Sequence, residues 1–322
     1  MEQITKDTYR NLIVRYFVSG NKDKEEYILK SNELRILLSL NEDNIDISQA
    51  TATLAHLWEY TANALEHEVN IPVSPPANEM EISGRDIIEK DEKIKERFGK
   101  FEHHLGLFLQ GLGHVNIPVF ANFLYNQMRR YTYFYGNGFE DDKIIDRHIH
   151  EHIQTILQKY FADELHDYLD TLQDHIFNIL IEETDNYDKL FHVANINKIF
   201  IELTNNHIMG ENEAIQWIGK QIYKNKMSTT NRKIEAAQEL YNLLAQKYGD
   251  KRATSLLMSY FINEIPTAER ANYVVDIKDK NNVPIYAHLN PEAQNAIPMV
   301  PQIKSELKQY INKLQQNNIR KR

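Results

Sequence analysis

Residues 48–69, SQATATLAHLWEYTANALEHEV, decide the fold class. Leu54, the pair Leu57-Trp58, Ala62, Leu65 and Val69 recur at intervals of three and four, the repeat that aligns side chains on one face of a helix. A half-buried strand would alternate every second residue instead. The stripe predicts a long amphipathic helix laid on a core, with the Ser48 hydroxyl as its N-cap acceptor.

The same period extends in both directions. Helices are expected over 5–18, ended at Gly20, and over 22–40, ended by the polar run NEDNID. Downstream, Ile94, Phe98, Phe101, Leu105, Phe108 and Leu112 form a second stripe, and a helix over 118–135 closes at Gly136-Asn137-Gly138. Between 141 and 184 the apolar face moves. Ile145, Ile149, Ile153 and Ile156 define one side, while Leu165, Leu169, Leu172, Ile176 and Leu180 define another. One straight helix cannot bury both against the same partner, so a break is expected near Phe161-Ala162.

Further helices are expected over 187–206, 211–225, 229–248, 250–262 and 300–316. Tyr273–Ile277, a turn over 278–282 and Val283–His288 read as a β-hairpin, with Pro284 confining the second strand to an edge or a strand start. The fold class expected is mainly all-α: a multi-helix bundle or irregular helical array with a small C-terminal β-hairpin. The three prolines of PVSPPANEMEIS place a linker over 72–83. It separates an N-terminal helical region (1–71) from a main helical domain (84–265), which the hairpin and last helix (266–322) follow.

Composition excludes several chemistries. With no cysteine there is no disulfide, iron–sulfur cluster, thiolate zinc site or thiol nucleophile. Walker, GxGxxG and GxSxG motifs are absent from the sequence. No stretch approaches the ~20 apolar residues of a membrane helix, and the early charges do not resemble a secretory signal, so a cytoplasmic location is expected. The net charge of −9 and pI of 5.8 argue against nucleic acid as the main partner. Charge is unevenly spread: 140–188 is strongly acidic and 220–252 is basic, a pattern of charged helix faces that suits a protein partner.

Ten of the thirteen histidines lie between His56 and His175, many beside acids, which prompts a search for metal ligands there. His56, Glu59, Asn63 and His67 share a helix face turned away from the apolar stripe, as do His103, Gln110 and His114. Both faces are expected to meet water. His148, Glu151 and His152 spell HxxEH, an inverted zinc-protease motif. Two histidines four apart project side by side and can hold zinc, manganese or iron, Asp141 lies on the same flank, and Glu151 can act as general base on a metal-bound water. The inverted-motif proteases take a third ligand some seventy-odd residues on, where this chain has no carboxylate over 227–233, so that family is not assigned. Arg129-Arg130 followed by Tyr131, Tyr133, Phe134 and Tyr135 continues the apolar stripe of Phe120, Phe123, Leu124 and Met128, which favours packing over nucleobase stacking.

The functional expectation is an α-helical binding or interaction protein of phage, plasmid or bacterial-effector type, acting through its charged helix faces. The alternative is a metal-dependent hydrolase at His148, Glu151 and His152.

Overall fold

The computed structural model describes residues 4–19, 23–42, 44–70, 73, 87–135, 142–181, 189–299 and 301–320. Among these the chain is helical almost throughout, and it forms two compact units, each made of two chain segments: Met1–Tyr168 with Asn205–Gly210, and Leu169–Thr204 with Glu211–Arg322. Among the described residues no helix is long and apolar enough to cross a membrane.

The first unit holds α1 (Lys6–Val18), α2 (Lys24–Leu38), α3 (Ile47–Val69), α4 (Ile87–Leu112), α5 (Ile117–Tyr135) and α6 (Asp142–Tyr160). It also holds the start of α7 (Ala162–Ile181). The α3 stripe lies inward from Leu54 to Leu65, with Leu54, Leu57 and Trp58 at most 1% exposed, whereas Val69 at the helix end is 45% exposed. Trp58 packs with Tyr9 of α1 and Phe101 and Phe108 of α4, and Phe108 reaches Phe123 of α5. Offset and edge-on contacts of this kind add to the burial of large rings. The N-cap of α3 is Asp46, whose carboxylate accepts from Gln49 N at 3.0 Å, and not Ser48, which lies inside the first turn. Negative charge at a helix N-terminus also suits the dipole.

The break expected near Phe161-Ala162 falls at Phe161, between α6 and α7. Its ring is buried edge-on against Phe120, so the residue that interrupts the helix is itself an anchor in the core. Of the expected linker over 72–83, all but Val73 lies outside the described residues; Val73 is buried.

The second unit contains the rest of α7, then α8 (Lys189–Asn205, up to Thr204), α9 (Glu211–Lys224), α10 (Thr230–Tyr248) and α11 (Asp250–Tyr260). Among the described residues four short helices and a terminal one complete it: 3-10 turns at Ile262–Glu264 and Ile285–His288, α12 (Arg270–Asp276), α13 (Pro291–Ala296) and α14 (Pro301–Arg320). Helices α9, α10 and α11 pack on one another through Ile215, Ile218 and Ile222, Leu240 and Leu244, and Ala253 and Leu257. Gly219 is where α9 meets Phe261: a Cβ there would lie 2.6 Å from the Phe261 ring.

The expected C-terminal hairpin does not form. Tyr273 and Val274 are buried in α12, and Ile285–His288 is a 3-10 turn. What survives is the turn and a single antiparallel bridge, Lys278 with Pro284. Pro284 has no N–H to extend a ladder, and burying Tyr273, Val274 and Ile277 where α12 packs on α10 and Phe261 outweighs the strand preference of β-branched residues.

Candidate metal centre in the second unit

Helices α10 and α11 are joined by one residue, Gly249, at φ +78° and ψ 159°, a conformation open to glycine alone. The sharp reversal sets Asp250 at the head of α11 beside Tyr241 of α10, and the Tyr241 hydroxyl donates to Asp250 Oδ1 at 3.0 Å. Thr254 ties the same turn down through its hydroxyl, which donates to the Asp250 carbonyl at 2.8 Å.

The second acid comes from the turn after α12. Asp279 Oδ1 accepts the N–H groups of Asn281 (2.8 Å) and Val283 (2.9 Å), an arrangement in which a short acid replaces backbone partners inside a turn. Asn282 completes the reversal at φ +60°. Gln238 of α10 fixes this turn to the helices with a two-point amide clamp: its Nε2 donates to the Lys278 carbonyl (2.8 Å) and its Oε1 accepts from Lys278 N (2.7 Å). His288, at the end of the second 3-10 turn, then brings Nε2 to 3.0 Å from Asp279 Oδ2.

One ligand atom from each of Asp250, Asp279 and His288 lies within 4.8 Å of the other two, and among the described residues this is the group of three that can hold a metal ion. The Asp279 side chain is 4% exposed, and the His288 ring 24%. Two carboxylates at that separation repel by about 3.5 kcal/mol at an effective dielectric of ~20. A cation between them reverses the sign of that term. The Tyr241 hydroxyl registers the same crowding: burial, and then the charges of Asp250 and Asp279, raise its pKa above the ordinary tyrosine range. One imidazole and two carboxylates suit zinc, manganese or iron, and three protein ligands leave coordination positions open to an incoming group. His288 also lines a cleft of about 390 Å³ whose polar wall includes Lys251, Ser255, Ser259, Arg270 and Asn290. Arg270 is held in place by donating to the carbonyls of Ile265 (2.9 Å) and Asn263 (2.7 Å).

The residues singled out from the sequence lie in the first unit. His148 is half exposed, with Nδ1 3.3 Å from Glu151 of its own helix. His152 turns its Nδ1 to Glu102 of α4. Asp141 lies outside the described residues.

The two histidine faces expected to meet water are partly covered. His56 meets Glu33 of α2 at 2.6 Å, and Glu59 pairs with Arg130 of α5. His103 meets the Tyr160 hydroxyl at 2.6 Å, and His114 meets Asn41 at 3.2 Å. His104 is buried against the Tyr9 hydroxyl at 3.0 Å, and burial, with His103 adding, lowers its pKa to about 4. Much of the histidine excess therefore joins helices. Arg129 is likewise engaged, by Asp146 at 2.7 Å, while Phe120, Phe123, Leu124 and Met128 are fully buried.

No protein-family model, curated protein sequence or solved structure matches this chain.

Proposed function

We propose that this chain is a binding protein whose second unit engages a protein partner through a divalent cation held by Asp250, Asp279 and His288. The observation that supports it is the convergence of two carboxylates and an imidazole within 4.8 Å, one of the acids buried, at the edge of a polar cleft. An acidic side chain of the partner completes the coordination, and Lys251 and Arg270 in the cleft wall favour the same charge. Lys220 and Lys224 are exposed on α9 of that unit and extend the attraction for an acidic surface.

Titration calorimetry of the full chain with Mn²⁺ or Zn²⁺ tests the cation. One ion per chain is expected, with affinity weakening in acid because protons compete with the metal for its ligand atoms. His288→Gln is expected to abolish binding while leaving the fold intact, and a variant that binds as the parent does would refute the assignment.

A second reading, a hydrolase using a metal at His148 and His152 with Glu151 as base, draws support from one feature. Both imidazoles turn Nδ1 toward a carboxylate, as metal-ligating histidines do. His148→Ala distinguishes the two, since only this reading expects it to remove the ion.

A further inference from the structure

Residues Asn205–Gly210 belong to the first unit, although the chain on either side of them belongs to the second. They are seated on α5 and α6. The His207 ring lies flat on Tyr125, with centroids 3.5 Å apart and planes 3° from parallel, and His150 stands 5.7 Å from both rings. Ile208 and Met209 are buried beside this stack. Two long hydrogen bonds add to the seat, Asn122 Nδ2 to Asn206 Oδ1 and Gln154 Nε2 to the Ile208 carbonyl, each 3.4 Å. Bonds of that length hold little, so the stack and the two apolar side chains carry the seat. His207 sits at φ +57°, a left-handed conformation that a residue with a Cβ keeps only when its surroundings hold it there.

We propose that Asn205–Gly210 is an acid-sensitive latch, seated while His207 is neutral and released when it takes up a proton. The groups around the ring come from two helices. On α6, Asp146 accepts from Arg129 Nη1 (2.7 Å) and from the Tyr125 hydroxyl (2.9 Å), both of α5, so its charge is shared with two donors. His150 has Nδ1 2.6 Å from the Asp146 carbonyl, which fixes that nitrogen as the donor. An imidazolium at His207 would therefore face a second imidazole, while the opposing carboxylate of Asp146 already serves two donors. Attraction of a cation for the Tyr125 face acts in the opposite sense and moderates the response.

Burial, and then His150, lower the His207 pKa to about 4, with Asp146 opposing. The released ring has an ordinary value near 6.5. The seated state thus binds fewer protons, and it is fully stable above that value and loses ground as pH falls toward 4. Between pH 7 and pH 5 the seated-to-released ratio is expected to fall by up to about 20-fold. This latch is independent of the cation site, which lies in the other unit.

Amide hydrogen exchange on the full chain, corrected for the intrinsic effect of pH, tests the proposal. Protection over 205–210 is expected to drop by about that factor between pH 7 and pH 5, while protection along α3 holds. His207→Asn, which tolerates the left-handed backbone and does not titrate, is expected to remove the pH response. Tyr125→Leu is expected to lower protection over 205–210 at pH 7 already. A flat wild-type response, an unchanged response in His207→Asn, parent-like protection in Tyr125→Leu, or loss of α3 protection in step with the segment would each overturn it.

Discussion

Asp279→Asn separates the two duties that a cation site would give one carboxylate. In the parent, Oδ1 takes two main-chain N–H groups at 2.8 and 2.9 Å, and Oδ2 faces His288. Asparagine keeps an oxygen for both amides and loses the charge, which weakens the two bonds by about 1–3 kcal/mol in total. The same change removes repulsion from Asp250 of about 3.5 kcal/mol for charges 4.8 Å apart at an effective dielectric of ~20. The opposing terms leave the metal-free variant within about 2 kcal/mol of the parent. Asp279→Ala, by contrast, strands both amides and is expected to cost about 3–5 kcal/mol.

Metal separates the alleles further. At a hundredfold excess over Kd, a bound ion stabilises the native state by about 2.7 kcal/mol, or roughly 5–10 °C in a domain of this size. Asp279→Asn is expected to show none of that rise. The chain has two tryptophans, Trp58 in the first unit and Trp217 on α9. A Trp58→Phe background therefore makes tryptophan fluorescence a report on the second unit alone. Thermal unfolding is followed in EDTA and again with Mn²⁺ or Zn²⁺. A full metal-induced rise in Asp279→Asn would refute the ligand role.

Two further outcomes follow from the packing. Gly219→Ala gains about 1 kcal/mol of helix propensity, but its Cβ meets the Phe261 ring at 2.6 Å, so a net loss of about 1–2 kcal/mol is expected in the same Trp217 melt. His104 is held neutral by burial at a pKa of about 4, so the unfolded chain binds the extra proton. The first unit is expected to lose stability as pH falls from 6.5 toward 4, by at most about 1.4 kcal/mol per unit, and His104→Gln to flatten that slope in denaturant melts read at Trp58 in a Trp217→Phe background.

Helix content was legible because it depends on local spacing. The α3 stripe, the helices from α8 to α11 and the break at Phe161 all follow from where apolar residues fall along a few turns. The segment from Tyr273 to His288 misled because its local pattern of β-branched residues and a turn is that of a hairpin, while burial against α10 and α11 decides its conformation. The Asp250–Asp279–His288 group carries no spacing signature: its members come from a helix start, a turn and a 3-10 end, brought together by the Gly249 reversal and the Gln238 clamp. Histidine density pointed elsewhere in the chain. His104 is joined to Tyr9 and His56 to Glu33 across long sequence separations, and no helical face test registers such partners.

The interleaving of the two units has a consequence for synthesis. A chain emerges from the ribosome N-terminus first, and Met1–Tyr168 is complete before the residues that seat against Tyr125 and His150 have been made. The stretch 169–204 intervenes, and at roughly 5–20 residues per second it takes a few seconds to appear. For that interval the nascent first unit shows the surface that His207, Ile208 and Met209 later cover. Its closure is thus timed by translation of a segment that belongs to its neighbour.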